Sequence, residues 1–150
     1  MTDTTISLRQ AVPSDYSWII DVVDEWWGRP MTSGLPKLFL DHFYLTSSIA
    51  ESFNQPVGFL VGFDSPSVKS QSYIHYVAVA PSHRGQAVAQ RLYERFFEMA
   101  RGNGRTEVAA ITASFNVVSI NFHKRLGFSV SPPIARLNEF GEYVCFSRSL

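Results

Sequence analysis

Apolar and polar residues alternate from Ile6 to Arg9, Pro13-Ser14-Asp15 then supplies a turn and a helix-start signal, and Tyr16 to Glu25 carries apolar residues at helical spacing. The pattern predicts a strand followed by a helix. Trp26-Trp27-Gly28-Arg29-Pro30 breaks that helix, and Leu35 to Phe43 reads as a second, shorter one, with an aromatic and basic loop between them. Ser48 to Phe53 and Val57 to Phe63 are strand-like and joined by Asn54-Gln55-Pro56, which predicts an antiparallel hairpin. Asp64 to Ser70 is polar and reads as loop.

In Gln71 to Val79 a period of two places Tyr73, His75, Val77 and Val79 on one strand face. Ala87 to Arg101 follows as an amphipathic helix with Val88, Leu92, Phe96 and Met99 as its apolar stripe, ended by Gly102-Asn103-Gly104. Val108 to Thr112 is a short buried strand, and Asn116 to Leu126 is helical until Gly127 stops it. Phe128 to Val130 and Tyr143 to Arg148 read as closing strands, separated by Pro132-Pro133 and a turn at Gly141. The central strand, helix and strand predict a parallel pair with a right-handed crossover.

The chain has 150 residues, the length of one domain, and neither repeats nor an internal boundary interrupt the pattern. Its formal net charge is zero, so no broad basic field invites nucleic acid or an acidic membrane, and a small, locally recognised ligand is the better expectation. Cys145 is the single cysteine, which excludes an internal disulfide, suits a reducing compartment and reads as core packing. No apolar run approaches a membrane span, and Met1 to Gln10 lacks the layout of a signal peptide, so a cytoplasmic protein is expected. The histidines lack metal-ligand spacing and no Gly-x-x-x-x-Gly-Lys loop occurs, so neither metal catalysis nor nucleotide hydrolysis is expected.

The candidate chemistry lies where the central strand runs into its helix, at Val77-Ala-Val-Ala-Pro-Ser-His-Arg-Gly-Gln-Ala-Val-Ala89. Backbone N–H groups at such a junction have no intrahelical partners, the helix dipole adds positive charge, and Arg84 adds a full one. Gly85, Ala87 and Ala89 keep the backbone bare enough for a phosphate chain. In the second segment Asn116, Ser119 and His123 have the spacing i, i+3 and i+7 and share one helix face, while Phe122 and Leu126 share another that suits the core.

Together these segments resemble the GCN5-related N-acetyltransferase (GNAT) superfamily, whose members move an acyl group from acyl-CoA to an amine. The likeness opens with Ile6-Ser-Leu-Arg9, Ala11, Pro13 and Asp15. It is strongest at Val77-x-Val79-x-Pro81-x-x-Arg84-Gly85-x-Ala87, and resumes at Asn116-x-x-Ser119-x-x-Phe122-His123-Lys124-x-Leu126-Gly127-Phe128. Three departures from the family's pattern involve four positions: Ser82 stands for a common Gln or Arg, Ala87 and Ala89 for commoner glycines, and His123 for a tyrosine general acid.

The resemblance implies an α/β (α+β) fold with a mixed, mostly antiparallel twisted sheet of six to seven strands flanked by about four helices. It implies acetyl-CoA as co-substrate, a small-molecule or peptide amine as acceptor, and pairing of two copies as a homodimer. The backbone of Val77, Ala78 and Val79 would pair with the pantetheine amides, and Arg84, Gly85, Gln86, Ala87, Val88 and Ala89 would hold the pyrophosphate. Asn116 and Ser119 would face the pantetheine arm, and His123 would approach the sulfur, either protonating the thiolate or merely filling the tyrosine's place. His75 is the candidate base or a hydrogen-bonded strand residue, with Glu51 as the rival base. Trp26, Trp27 and Arg29 fall in the region that shapes the acceptor cleft in relatives, with core and lid packing as the alternative. No cysteine lies in either motif to carry an acyl group, so direct transfer in a ternary complex is expected. The competing reading is an acyl-CoA-binding regulatory module that has lost chemistry.

Overall fold

In the computed structural model, which describes residues 5–136 and 141–150, strand β1 (Ile6–Gln10) leads through a 3-10 turn at Pro13–Asp15 into helix α1 (Tyr16–Trp27). The first residues of the Met1 to Gln10 stretch lie outside the described residues. Asp15 fastens this junction: its buried carboxylate accepts from Val12 N at 2.8 Å, Trp18 Nε1 at 2.8 Å and both terminal nitrogens of Arg9 at 2.8 and 2.9 Å. Helix α1 runs past the expected break because nothing stops it before Gly28, whose φ of 75° provides the left-handed C-terminal residue. Helix α2 (Leu38–Phe43) starts three residues later than expected; Pro36 disfavours helical geometry at Leu35, and Thr32–Gly34 forms a 3-10 turn instead.

Strands β2 (Ser48–Ser52) and β3 (Gln55–Asp64) form the predicted antiparallel hairpin, but its turn is Phe53-Asn54 rather than Asn54-Gln55-Pro56. Both turn residues have positive φ, 49° and 65°, as a two-residue loop matched to strand twist requires. The register slips between Ala50 and Glu51, where Pro56 has no N–H to give. Strand β4 (Gln71–Val79) and helix α3 (Val88–Gly102) follow. A Cβ on Gly58 would come within 3.1 Å of Val88 and 3.3 Å of the Ala78 carbonyl, so the bare backbone there lets α3 lie close to the strands. Val88, Leu92 and Phe96 of the predicted stripe are buried, whereas Met99 is only half-buried.

The remaining elements are β5 (Glu107–Ala113), α4 (Val117–Arg125), β6 (Ser129–Val130), β7 (Ile134–Ala135) and β8 (Glu142–Ser149). Strand β4 pairs in parallel with β5 from Gln71↔Glu107 to Tyr73↔Ala109, as the crossover pattern predicts, and β5 pairs antiparallel with β8 along its length. The chain divides into two compact units, Met1–Phe63 with Ile74–Met99 and Asp64–Tyr73 with Ala100–Leu150. Among the described residues the mixed sheet has eight strands in the order β1-β2-β3-β4-β5-β8-β6 with β7 also on β8, one more than the upper expectation, and four α-helices accompany it. The additional strand is β7, two residues long after Pro132-Pro133 and too short to leave a pattern.

Candidate functional site

The first unit holds the loop expected to cradle a phosphate. Beyond β4 the chain makes a 3-10 turn at Pro81–His83, passes Arg84 in extended geometry, and takes left-handed conformations at Gly85 (φ 78°) and Ala87 (φ 61°) before α3 begins. The expectation that Ala87 sits in plain helix is therefore corrected: it lies outside α3, and its carbonyl accepts the first bond from Arg91 N at 3.0 Å. The amides of Gly85, Gln86 and Ala87 donate to no acceptor among the described residues. Those of Val88 and Ala89 belong to the first helical turn and have no intrahelical partner. A Cβ built on Gly85 meets nothing within 4 Å, so the loop presents open main chain at a helix N-terminus. Arg84 is exposed, and its Nη2 donates to the Trp26 carbonyl at the end of α1. Ser82 Oγ lies 2.8 Å from His83 Nδ1.

Strand β4 offers a second feature of the same kind. Its parallel ladder ends at Tyr73↔Ala109, so the same edge over Val77, Ala78 and Val79 carries main-chain groups beyond that ladder. Ala78 is buried and the two valines are half-buried. An extended, amide-bearing ligand can add to such an edge as a strand would.

His75 sits one turn of the pleat earlier. Its Nε2 lies 2.7 Å from the Gly34 carbonyl, which can only accept, so the proton is on Nε2 and the Nδ1 lone pair is the free one. Burial pushes its pKa below the ordinary 6.5, partly opposed by the Gly34 bond, so the ring is neutral at pH 7. Phe39 stacks on it at 4.1 Å and Tyr76 at 4.5 Å. Two consecutive strand residues thus turn toward one loop, which interrupts the predicted alternation. Tyr76 was invisible to the sequence for that reason: a period of two assigns it to the face opposite His75. Its hydroxyl donates to the Met31 carbonyl at 3.0 Å and lies where a Cβ on Gly34 would stand, 1.9 Å away.

Glu51 pairs with Arg9, Oε1 to Nε at 3.3 Å, which gives its carboxylate a structural partner. Trp26 is core rather than acceptor wall, packed at 6.0 Å from Trp18 and 6.2 Å from Phe59, and this corrects its assignment to substrate. Trp27 is half-buried, with the Arg29 guanidinium 5.4 Å from its ring centroid and Tyr76 at 6.0 Å.

In the second unit, Asn116 caps α4: its Oδ1 accepts from Ser119 N at 3.2 Å and its Nδ2 donates to Thr112 Oγ1 at 3.2 Å. His123, not Phe122, is the buried residue of α4, which inverts the predicted core face. Its ring stacks on Phe146 at 3.8 Å and meets Phe128 edge-on at 5.1 Å. Its Nδ1 donates to the Ser119 carbonyl at 2.7 Å, with Ser119 Oγ 3.3 Å away. Burial pushes its pKa down to about 4. With the proton on Nδ1 and the ring neutral at pH 7, no imidazolium is present to donate, so the general-acid assignment for His123 is corrected to that of a core residue.

The chain is 30% identical over 83 residues to N-acetyltransferase family 8 member 2 of Rattus norvegicus, a match covering 53% of this chain and 37% of that protein. It is 32% identical over 71 residues to the L-methionine sulfoximine/L-methionine sulfone acetyltransferase of Salmonella typhimurium, covering 47% and 42%. The chain thus spans less than half the length of these curated relatives. Arabidopsis thaliana Naa50 in complex with the bisubstrate analogue CoA-Ac-MVNAL has the same fold, with a TM-score of 0.81 over 98% of this chain and 100% of that one at 15% identity. Residues 9–128 match the acetyltransferase (GNAT) family model, and the chain belongs to that family.

Proposed function

We propose that this protein transfers an acetyl group from acetyl-CoA directly to a primary amine of a small molecule or peptide. The observation that carries the reading is the bare main chain from Gly85 to Ala89: left-handed geometry at Gly85 and Ala87 leaves consecutive amides without acceptors at the start of α3. That donor set fits a pyrophosphate, and the open edge of Val77 to Val79 fits the pantetheine amides. An N–H on that edge is suited to polarise the thioester oxygen.

In the reaction the amine nitrogen attacks the thioester carbon, a C–N bond forms, and the C–S bond breaks with the electron pair leaving on sulfur. An alkyl amine has a pKa of about 10.4, so a base must take its proton. His75 Nδ1 is the group suited to that step, because the Gly34 carbonyl fixes the tautomer and burial keeps the ring neutral. The thiolate, with a pKa of about 8.5, takes its proton from solvent. One observation favours the second reading, an acyl-CoA-binding module without chemistry: the neutral, enclosed His123 stands where the family's tyrosine acid is common.

Release of free thiol from acetyl-CoA across a panel of amines, amino acids and peptides tests the choice. Amine-dependent release is expected. Tight acetyl-CoA binding without release from any acceptor overturns the enzyme reading in favour of the module.

A further inference from the structure

We propose that Phe39 is a positioning residue for acetyl transfer: its ring, face to face with the His75 imidazole, sets the direction in which the Nδ1 lone pair meets the incoming amine. The inference rests on the reading of His75 as the base and adds the residue that aims it. Phe39 belongs to helix α2 and His75 to strand β4, and both lie in the first unit. Their ring centroids are 4.1 Å apart and their planes 3° from parallel.

A hydrogen bond fixes one atom of the imidazole, and the Gly34 carbonyl, 2.7 Å from Nε2, supplies it. The plane of the ring is a separate matter, because the outer torsion of a histidine side chain has broad minima. The groups on its two faces decide that plane. Phe39 covers one face. Tyr76, at 4.5 Å with its plane inclined by 14°, covers the other, since two six-membered rings at these spacings collide if both lie on the same side of so small a ring. The Nδ1 lone pair lies in the imidazole plane, so a ring held between two nearly parallel faces offers it in one direction. Alignment of this kind lowers the barrier to proton transfer without touching the substrate.

The two faces are secured differently. Tyr76 is anchored by its hydroxyl on the Met31 carbonyl at 3.0 Å. Phe39 is backed by Phe43 at 5.8 Å, which in turn stacks on Phe63 at 4.9 Å, so a row of rings runs from β3 through α2 to the imidazole. The chemistry calls for an aromatic face as well as for bulk. No carboxylate reaches the His75 ring among the described residues; burial and the Gly34 carbonyl are the influences on its protonation. The charges flanking Phe39 in sequence, Lys37 and Asp41, hold each other at 2.7 Å. When Nδ1 takes the proton of the amine, the ring becomes a cation with no acid beside it, and the negative faces of Phe39 and Tyr76 receive that charge. An aliphatic side chain at position 39 fills space but supplies neither a flat face nor a quadrupole.

The test measures turnover of acetyl-CoA with the fastest acceptor of the amine panel in the parent, Phe39→Leu, Phe39→Tyr, His75→Ala and the variant carrying both Phe39→Leu and His75→Ala. Phe39→Leu should lower kcat by at least about ten-fold while KM for acetyl-CoA keeps the parent value. Phe39→Tyr retains the flat face and should retain most of kcat. His75→Ala should cost about a hundred-fold or more, and Phe39→Leu should cost nothing further in that background, where there is no imidazole left to aim. Phe39→Met, which keeps volume without a flat face, is read in the same way if leucine yields too little folded protein. Parent-like kcat in Phe39→Leu, an equal fold-loss with and without the imidazole, or a loss in Phe39→Tyr as large as in Phe39→Leu overturns the inference and leaves His75 as the base. Parent-like turnover in His75→Ala refutes the base and this role with it, while acetyl transfer stands. Thiol release with no amine refutes acetyl transfer itself, and the role falls with it.

Discussion

Replacing His123 with phenylalanine should flatten the acid dependence of stability and leave the chemistry intact. In the native protein burial holds the imidazole pKa at about 4 against an ordinary 6.5. At about 1.4 kcal/mol per pH unit, protonating the folded protein at this site costs about 3 kcal/mol more than protonating the unfolded chain. The sign is fixed by which state binds the proton. Above pH 6.5 the ring is neutral in both states; as pH falls from 6.5 toward 4 the unfolded chain takes up a proton that the native core refuses, so stability declines across that window. Phenylalanine keeps the stack on Phe146 and the edge contact with Phe128, and loses the bond to the Ser119 carbonyl, a change of about 1 kcal/mol at pH 7. Urea unfolding of parent and variant from pH 7.5 down to about 4 measures this, and comparing the two curves removes the separate contribution of His75. The variant should equal or exceed the parent in stability near pH 4.5. Parallel curves would refute the buried-neutral assignment, and a large loss of turnover at unchanged stability would return the ring to the mechanism.

Other substitutions test the supports of the site. Ala87→Gly relieves a left-handed alanine and should raise stability by about 1 kcal/mol in denaturant unfolding; a loss would show that the methyl group packs usefully. Asp15→Asn removes the anion that gathers Arg9, Trp18 and Val12, and should cost about 2 kcal/mol at pH 7. Burial is the largest influence on Asp15 and would raise its pKa, but Arg9, Trp18 and Val12 together lower it; the stabilisation is therefore present above pH 3.8 and lost as pH falls through the folded value, where parent and variant should converge. Gly34→Ala puts a methyl group 1.9 Å from the Tyr76 hydroxyl, breaking its bond to Met31, and should cost about 2 kcal/mol while raising KM for the amine more than for acetyl-CoA. Unchanged stability and KM would mean that Tyr76 swings away freely.

Much of the frame was legible because it rests on short-range rules. The alternation in Gln71–Val79 and the stripe of Val88, Leu92 and Phe96 each announce an element through its own period. What escaped depends on contacts distant in the chain. Phe122 and His123 are adjacent, and hydrophobicity favours the phenylalanine for the core; only the rings of Phe128 and Phe146 make a place for a neutral imidazole. The pairing of Glu51 with Arg9 and the burial of Trp26 against Phe59 likewise join separate segments. Ala87 is the converse case: alanine favours helix, yet the chain takes a left-handed φ of 61° there and α3 begins only at Val88.

Calorimetric titration of acetyl-CoA into the parent and Gly85→Val tests the cradle most directly. A Cβ at Gly85 meets no protein atom within 4 Å, so the side chain enters the space assigned to phosphate rather than the core, and folding should lose only the left-handed backbone cost of about 1–2 kcal/mol. The folded variant should bind acetyl-CoA at least about ten-fold more weakly than the parent, the equivalent of one or more lost phosphate contacts. Undiminished affinity in Gly85→Val would contradict the claim that bare main chain between β4 and α3 holds the pyrophosphate.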